Sequence, residues 1–509
     1  MTYCHYERLS AMDALFLDLE DHNSHMHIGS VSLFEAKSLR SAAGGIDIER
    51  VSRHLEATLL KHPRFRQRLA YVPGLGRPVW IDDTKFNLHY HVRHTCLPAP
   101  GDERMLKRLA GRVMSQQLDR GKPLWETWVV EGVAGDRFAL ITKLHHCLAD
   151  GMSGVDLAAS MLSPDPDAED DKPKSWIPRP APSSTRLLAD ELRRRATAPL
   201  ALISGSGGGI GAIAGDVKDA ALGLVETFDG GSGAASETPF DTDLGPHRRF
   251  DWLRMELDDV KVVRDRLCGT LNDVVLAVAA GALRRFLRDR GVAVDTLTFR
   301  VMVPVSVRSR GERGALGNRV AMMMVRLPLD ERDPVERLRK ICTETSERKS
   351  GHQSAATQLF ARMADALVPE LTGPLARLGL RTHAANLVIT NVPGPPIPVY
   401  LLGARLVESF PVVPLATGQA LGIALLTYAG GLHWGFNSDW DAMPDLHDLV
   451  DGTAAEFARL LDAARAAGAP EKAAPGAKRA SRSKARSTPS PAAKPALRKK
   501  TRPKLKRVR

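Results

Sequence analysis

Residues 144–151 read Leu-His-His-Cys-Leu-Ala-Asp-Gly and follow directly on the mostly apolar stretch 138–142. Apolar residues that run into a polar turn predict a buried strand, which places the two histidines where that strand ends. Ser153, with Asp156 three residues later, predicts the cap of a following helix. Residues 150–151 therefore lie in a strand-to-helix turn, where a neutral imidazole can face a cleft and act as a general base near pH 7.

The histidine pair is open to three interpretations. A metal site would use His145, His146 and Asp150, but neighbouring side chains at a strand end point in opposite directions, and neither an H-E-x-x-H motif nor a cysteine cluster completes the ligand shell. A structural pair is the ordinary explanation of two adjacent histidines taken alone. Covalent catalysis is disfavoured, because Cys147 and His146 face opposite ways and Ser153 does not lie in a G-x-S-x-G turn. The turn that follows favours general-base catalysis.

The composition is that of a protein with two ordinary domains. The chain has 509 residues, of which 43% are hydrophobic, enough apolar material for two cores. Its formal charge of +12 comes from the C-terminal end. Residues 471–509 hold fifteen Lys or Arg and one acid, whereas residues 1–470 hold 56 basic and 58 acidic side chains. The body of the protein therefore lacks the positive field of a nucleic-acid-binding domain.

Two further features bear on the cellular setting. The five cysteines are scattered without close pairs, which indicates a reducing compartment. No signal peptide is evident at the N-terminus and no run of eighteen apolar residues occurs, so we expect a cytoplasmic protein that can lie on a membrane but does not span it.

Shifts in composition divide the chain into four segments. Residues 1–163 form a first α/β segment, and residues 164–245 form a linker that is rich in Pro and Asp and then in Gly. Residues 246–465 form a second α/β segment. Residues 466–509 contain Ala, Pro, Ser, Lys and Arg with little apolar material, which predicts a disordered basic tail.

Two strand patterns can be placed in the second segment. Apolar residues alternate with polar ones over 297–307, which predicts a strand with one apolar face. Ser306 and Arg308 share its other face. Residues 421–428 and 432–436 flank an Ala-Gly-Gly turn and predict a hairpin.

One helix start can also be placed. Thr270 and Asp273 resemble a capping box, and apolar residues follow at helical spacing. Asn272 therefore lies in the first turn of this helix, which ends near Gly291. The free backbone N–H groups of a first turn make it a favourable place for a developing negative charge.

Six motifs follow one another between about residues 8 and 460. They are L-S-x-x-D…E…M-H at 9–27, P-L-W at 123–125, H-H-x-x-x-D-G at 145–151, N-D at 272–273, P-V-S-x-R…G-N at 304–318 and N-V-P-G-P at 391–395. In content and order they resemble the motifs of the bacterial wax ester synthase/acyl-CoA:diacylglycerol acyltransferase family. That family is related to chloramphenicol acetyltransferase and to the condensation domains of peptide synthetases. The linker and the basic tail lie outside the resemblance.

The resemblance implies an α/β fold of two chloramphenicol acetyltransferase-like halves around a central substrate tunnel. It also implies roles for the histidine motif. His146 would be the general base that takes the proton from an alcohol, and His145 would support the site. Asp150 would pair with an arginine, for which Arg308 is the candidate, and Gly151 would belong to the same supporting turn.

Asn272 is the candidate donor to the oxyanion that forms when the thioester is attacked. An equally open interpretation is that Asn272 serves backbone groups at the helix start. Structural roles are favoured for Trp125, as a core anchor, and for the prolines of 391–395, which stiffen a turn. The glycine-rich stretch 205–211 lacks the G-x-G-x-x-G spacing of a dinucleotide site.

As the resemblance implies, we expect an O-acyltransferase that moves a fatty acyl group from acyl-CoA, its co-substrate, to diacylglycerol or a long-chain alcohol without a metal or redox cofactor. Such lipid substrates imply peripheral contact with the inner membrane or lipid inclusions. The basic tail 471–509 could contact anionic lipid or nucleic acid. The alternative is a catalytically inactive protein on the same fold that tethers lipid surfaces or nucleic acid.

Overall fold

The computed structural model describes residues 4–75, 78–149, 160–170, 175–205, 235–306, 320–350 and 383–468. Helices and strands alternate along the chain, which confirms the expected mixed α/β class. The helices are α1 (Ala11–Leu19), α2 (Ile48–Lys61), α3 (Leu88–His91), α4 (Glu103–Ser115), α5 (Ser184–Gly205), α6 (Leu257–Leu267), α7 (Leu271–Asp289), α8 (Pro334–Ser350) and α9 (Leu446–Ala466). The strands are β1 (Glu7–Arg8), β2 (His27–Glu35), β3 (Gln67–Tyr71), β4 (Pro78–Asp82), β5 (Val92–Cys96), β6 (Trp125–Val133), β7 (Arg137–His145), β8 (Arg248–Glu256), β9 (Phe299–Ser306), β10 (Val320–Leu327), β11 (Leu387–Pro393), β12 (Tyr400–Leu401), β13 (Ala404–Val412), β14 (Leu421–Tyr428) and β15 (Gly431–Asp439).

Most of these strands belong to two six-stranded sheets. The first sheet has the order β12-β13-β2-β7-β6-β5, and the second has the order β10-β9-β11-β14-β15-β8. A smaller sheet has the order β1-β4-β3. In the first sheet β2 and β7 are antiparallel neighbours, so that His27 lies directly opposite His145. The histidine motif thus begins at the end of a central strand, as the apolar residues before it predict.

The first sheet contains strands from both α/β segments of the sequence. β13 comes from the second segment, yet it pairs antiparallel with β2, and the hydroxyls of Ser32 and Ser409 are hydrogen-bonded across this pair at 2.8 Å. Trp252 of β8 stacks on Phe410 of β13 with ring centroids 4.9 Å apart, inside an apolar cluster that includes residues of α4. Backbone pairing and side-chain packing therefore join the two segments.

The predicted helix start and hairpin are both confirmed. The hydroxyl of Thr270 accepts a hydrogen bond from the N–H of Asp273, and the Asp273 carboxylate accepts one from the N–H of Thr270, which is a complete capping box. Most of α7 is then buried against the second sheet and its neighbouring helices. β14 and β15 form the hairpin, and its turn residues Ala429 and Gly430 have φ of 41° and 86°.

Other expectations fall partly outside the described residues. The strand expected over 297–307 is present as β9, which runs to Ser306 where the described range ends. Of the helix expected after Ser153, only residues 160 and 161 are described, and both are helical. The glycine-rich residues 206–211 and residues 469–509 of the basic tail lie outside the described residues. Among the described helices, none alone is both long and apolar enough to cross a bilayer; by length and composition α6 and α7 qualify only as a pair, and they are bent by 97°.

Candidate active site

His145 is the last residue of β7, and its side chain is 1% exposed. Its Nδ1 accepts a hydrogen bond from the backbone N–H of Cys147 at 3.1 Å, so Nδ1 carries no proton and the ring N–H lies at Nε2. This Nε2 faces Glu20 Oε1 at 3.6 Å. Because β2 pairs with β7, His27 Nε2 lies at 3.6 Å from the same carboxylate oxygen. The strand end thus gathers two imidazoles around one carboxylate.

Glu20 directly follows α1, and its carboxylate is buried. Arg120 donates to Oε2 at 2.7 and 3.2 Å, and the backbone N–H of Met26 reaches Oε1 at 3.3 Å. Burial by itself raises the pKa of Glu20, but the facing His145 ring and the Arg120 guanidinium outweigh it and lower the pKa to about 2. Glu20 is therefore ionised at neutral pH and presents a fixed negative charge to His145.

His146 begins a 3-10 turn and has surroundings unlike those of His145. Its backbone N–H donates to the Met26 carbonyl at 2.8 Å, and its ring stacks on Phe16 of α1 with centroids 3.8 Å apart. Burial lowers the pKa of His146 to about 4, and the neighbouring His145 acts in the same direction. The imidazole of His146 is therefore neutral at pH 7 and able to accept a proton.

The N-terminal L-S-x-x-D motif has a local structural explanation. The Ser10 hydroxyl accepts a hydrogen bond from the N–H of Asp13 at 3.1 Å and donates one to Asp13 Oδ2 at 2.6 Å, so Ser10 is the N-cap of α1. This cap fixes the start of the helix that supplies Phe16 and leads into Glu20. The motif thus positions two side chains that contact the histidine pair.

Asn272 lies in the first turn of α7, next to the end of β11. Its Oδ1 accepts a hydrogen bond from Asn391 Nδ2 at 2.7 Å, which joins the N-D motif to the N-V-P-G-P motif. This bond orients the Asn272 amide, and its Nδ2 has no acceptor among the described residues. The hydrogen bonds and ring contacts of the described residues do not link Asn272 to His146.

Three expected site residues, Asp150, Gly151 and Arg308, lie outside the described residues. The pairing of Asp150 with Arg308 therefore stays a prediction. Cys147 is described, and burial raises the pKa of its thiol well above the ordinary value, so it is not an activated nucleophile. Within the described ranges no group of three or more His, Cys, Asp or Glu side chains could hold a metal ion.

Trp125 of the P-L-W motif is buried in the core of the first segment. Its Nε1 donates to the carbonyl of Phe65 at 2.8 Å, and its ring stacks on His91 with centroids 4.6 Å apart. These contacts agree with the role of core anchor.

A cavity of about 790 Å³ opens between α4 and the start of β8, and we call it the arginine groove. The residues that line it are Arg108, Arg112, Ser115, Gln116, Pro246, His247, Arg248 and Trp440. Arg108 and Arg112 are exposed and form no ion pair with any described residue. No acidic side chain is among the described residues of the lining. Arg248 is ion-paired with Asp439, with 3.6 Å between Nη1 and Oδ2, so the positive charge of the groove comes from Arg108 and Arg112.

Buried contacts connect the arginine groove to the histidine pair. The Arg248 guanidinium donates to the carbonyl of Asn23. Met26 follows Asn23 by three residues, and the Met26 carbonyl accepts a hydrogen bond from the His146 N–H. Three residues of extended chain span at most about 10 Å, so the Asn23 carbonyl that Arg248 contacts and the Met26 carbonyl that His146 contacts lie no farther apart than about that distance.

Three residues of the site had no role expected from the sequence. Glu20 and His27 belong to the quoted N-terminal motif, but no role followed from that motif for either residue. Phe16 belongs to no motif. Its helical position one turn before Glu20 is the only signal in the sequence that could have indicated it.

Two family models match the chain. The wax ester synthase/diacylglycerol acyltransferase catalytic domain matches residues 9–275, and the C-terminal domain of the same family matches residues 316–461. A Mycobacterium tuberculosis protein named probable diacylglycerol O-acyltransferase tgs1 is 33% identical over 89% of this chain and 95% of its own length. A second M. tuberculosis protein, named probable diacylglycerol O-acyltransferase tgs2, is 35% identical over 86% of this chain and 95% of its own length.

Solved structures are similar over the same part of the chain. The wax ester synthase/diacylglycerol acyltransferase from Marinobacter aquaeolei VT8 is 28% identical, with a TM-score of 0.65, and covers 90% of this chain and 100% of its own. The first condensation domain of the CDA synthetase is 16% identical, with a TM-score of 0.52, and covers 91% of this chain and 97% of its own. The second similarity concerns the fold alone, and it agrees with the expected relation to condensation domains.

Proposed function

Because the chain belongs to the wax ester synthase/diacylglycerol acyltransferase family and is an acyl-CoA-dependent O-acyltransferase, we propose that its acceptor is the free hydroxyl of diacylglycerol. The names of the two M. tuberculosis relatives support this acceptor. A long-chain alcohol is the second candidate, because the matching family model and the similar Marinobacter structure are also named for wax ester synthesis. The product is triacylglycerol in the first case and a wax ester in the second.

The observation that carries the proposed mechanism is the contrast between the two adjacent histidines. His145 is held against the ionised Glu20, whereas His146 is neutral and stacks on Phe16. We assign the role of general base to His146. It takes the proton of the acceptor hydroxyl while the hydroxyl oxygen attacks the thioester carbon, and it returns this proton to the departing sulfur of CoA.

Glu20 and His145 are positioning residues in this proposal. Glu20 keeps the Nε2–H tautomer of His145, and the Cys147 N–H holds the other ring nitrogen. Glu20 therefore acts on His146 only through His145, because it faces the ring at the strand end from which His146 follows.

Asn272 is our candidate donor to the thioester oxyanion. Asn391 donates to its Oδ1, so the Nδ2–H groups of Asn272 are directed away from Asn391. The first-turn position of Asn272 in α7 adds the positive end of the helix dipole. Asn272 therefore supplies a hydrogen-bond donor whose direction is fixed before the substrate binds.

The arginine groove is our candidate for the phosphate-bearing end of acyl-CoA. Arg108 and Arg112 are exposed at the groove, and phosphate groups are favourable ligands for arginine. The chain of contacts from Arg248 through Asn23 and Met26 to His146 supports a path along which the flexible arm of CoA would bring its thioester to the base. No metal or redox cofactor has a part in this scheme, and we expect the same rate in the presence of EDTA.

We also propose that the protein works in the cytoplasm at the surface of the inner membrane or of lipid inclusions. The basic tail 471–509 supports attraction to anionic lipid. Flotation with vesicles of phosphatidylglycerol and phosphatidylcholine tests this, with full-length protein beside a variant that lacks 471–509. The proposal predicts that the variant floats less while acyl transfer persists; equal flotation would contradict the tail's role.

The test of the proposed function is CoA release from palmitoyl-CoA by the purified protein. Dioleoylglycerol and hexadecanol are offered separately, and the lipid product is identified by mass. We expect release that depends on dioleoylglycerol and yields triacylglycerol. Faster release with hexadecanol would make the long-chain alcohol the acceptor. The absence of release with either acceptor would favour the inactive tethering protein.

A further inference from the structure

We propose that Cys268 and Cys342 form a dithiol oxidation site whose disulfide ties α8 to the start of α7. The Sγ atoms of these two residues lie 3.5 Å apart, although 74 positions separate the residues in the sequence. A disulfide needs about 2 Å between the sulfurs, so each sulfur has to move by less than about 1 Å. The close pair is not visible in the spacing of the five cysteines, because it forms only when α8 packs beside α7.

The two sulfurs differ in their access to solvent. Cys268 is exposed in the turn between α6 and α7, whereas Cys342 is half-buried on α8 and packs against the core of the second segment. The Cys268 sulfur can therefore react with a small disulfide in solution. The half-buried Cys342 sulfur is less accessible to such a reagent, and it would react with Cys268 Sγ instead. This is the arrangement of an attacking and a resolving cysteine.

The turn that carries Cys268 is built to bring the sulfurs together. Cys268 and Gly269 have φ of 126° and 99°. A Cβ on residue 269 would lie 2.6 Å from Cys342 Sγ, so only a glycine lets this sulfur approach the turn. Beside it, Thr345 of α8 donates to Asp273 Oδ1 at 2.7 Å and fixes α8 against the capping box of α7.

The reaction with a low-molecular-weight disulfide is balanced as follows. The Cys268 thiolate attacks one sulfur of the reagent, which forms a mixed disulfide and releases the first reagent thiol. The Cys342 thiolate then attacks Cys268 Sγ, which forms the internal disulfide and releases the second thiol. The protein loses two thiol protons and two electrons, and the reagent gains them.

The internal disulfide would act on the start of α7. It would join α8 covalently to the turn that leads into Thr270 and Asn272. If Asn272 has the role proposed above, the cross-link should also change the rate of acyl transfer. The existence of the disulfide does not depend on that role.

The test uses the full-length protein, reduced and then treated with oxidised glutathione. Peptide mapping by mass spectrometry compares the wild type with Cys268→Ser, Cys342→Ser and Cys96→Ser. The last is a matched control, because Cys96 is exposed but lies on β5 of the first sheet, away from the turn between α6 and α7. We expect the Cys268–Cys342 cross-link in the wild type and in Cys96→Ser. Cys342→Ser should stop at the glutathione adduct on Cys268, and Cys268→Ser should form no cross-link.

Two results would overturn the proposal. One is a wild-type protein that keeps only the glutathione adduct, and the other is a cross-link to a different cysteine.

Thermal unfolding gives a second readout that does not depend on activity. The oxidised wild type should have a higher Tm than the reduced form, dithiothreitol should reverse the difference, and Cys268→Ser should show none. A cross-linked protein with an unchanged Tm would contradict a stabilising effect of the disulfide on the packing of α8 against α7.

Discussion

The end of β7 and the start of α7 each carry a candidate catalytic residue, and the two regions hold it by different means. At the end of β7 the ionised Glu20 is buried with Arg120 and faces His145. At the start of α7 the neutral amide of Asn272 is oriented by a second neutral amide. A residue that accepts a proton must be unprotonated beforehand, and burial keeps the ring of His146 neutral at pH 7. A donor to an oxyanion does not change its own charge during the reaction, so its surroundings need only fix the direction of its N–H groups.

The largest effect should come from the base at the end of β7. His146→Ala removes the proton acceptor, and we expect CoA release with dioleoylglycerol to fall by about 10³ in kcat/KM. His89→Ala, an exposed histidine of α3, is the control and should match the wild type. A His146→Ala rate within about twofold of the wild type would remove His146 from the mechanism and leave the structural interpretation of the pair.

The second largest effect on activity should come from a change at the start of α7. Asn272→Ala removes the proposed oxyanion donor and should lower kcat by about 10² with little change in KM. Asn272→Asp sharpens the comparison, because Asp is at least as favourable as Asn in a first helical turn but cannot donate from its carboxylate. We expect Asn272→Asp to be as slow as Asn272→Ala. If Asn272 only serves the helix start, the Asp variant keeps wild-type activity.

The buried charge should contribute less than the groups that touch the reacting atoms. Glu20→Gln keeps the size of the side chain but removes the charge beside His145, and we expect about a tenfold lower kcat, which corresponds to about 1.4 kcal/mol. The variant should also have a lower Tm, because Arg120 loses its buried partner. Glu49→Gln on the exposed side of α2 is the control. A lower Tm with an unchanged kcat would make Glu20 purely structural.

The arginine groove should change substrate affinity and not the chemical step. Arg108→Ala combined with Arg112→Ala should raise the KM for palmitoyl-CoA about fivefold at unchanged kcat, and the difference should shrink at high salt. Arg104→Ala, on the same helix but outside the groove lining, is the matched control. An unchanged KM in an enzyme that is otherwise active would refute the groove as the phosphate site without affecting the acyltransferase proposal.

The smallest expected effect is the change of kcat/KM with pH. Burial lowers the pKa of His146 to about 4, so the neutral, proton-accepting form predominates above that pH and is lost as the pH falls through it. We therefore expect kcat/KM to be flat between about pH 6 and 8 and to be halved only near pH 4. Circular dichroism over the same range checks that the protein stays folded. An acid limb with its midpoint near pH 6.5, the ordinary histidine value, would contradict the buried environment.

Local features of this protein could be predicted from the sequence. The capping box at Thr270, the hairpin of β14 and β15 and the strand that ends in the histidines each depend on residues within one element or one turn. Their signals are backbone hydrogen bonds and periodic burial, which short stretches determine almost alone. The family resemblance added the assignment of His146 as the proposed base.

Contacts between distant residues could not be predicted in this way. Arg120 reaches Glu20 across 100 positions, and Cys342 reaches Cys268 across 74. Neither residue carries a periodic or capping signal that indicates its partner. The five cysteines look scattered in the sequence for the same reason, because only the packing of α8 against α7 brings two of them together.

The position of β13 in the first sheet has a consequence for biosynthesis. Ser409 of β13 pairs with Ser32 of β2 across 377 positions, so β2 has an unpaired edge until the ribosome has passed Val412. At ordinary elongation rates this exposure lasts on the order of tens of seconds. An open edge beside apolar residues invites pairing with other nascent chains. The yield of correctly assembled protein should therefore depend on chaperones that shield the N-terminal segment while the rest is being translated.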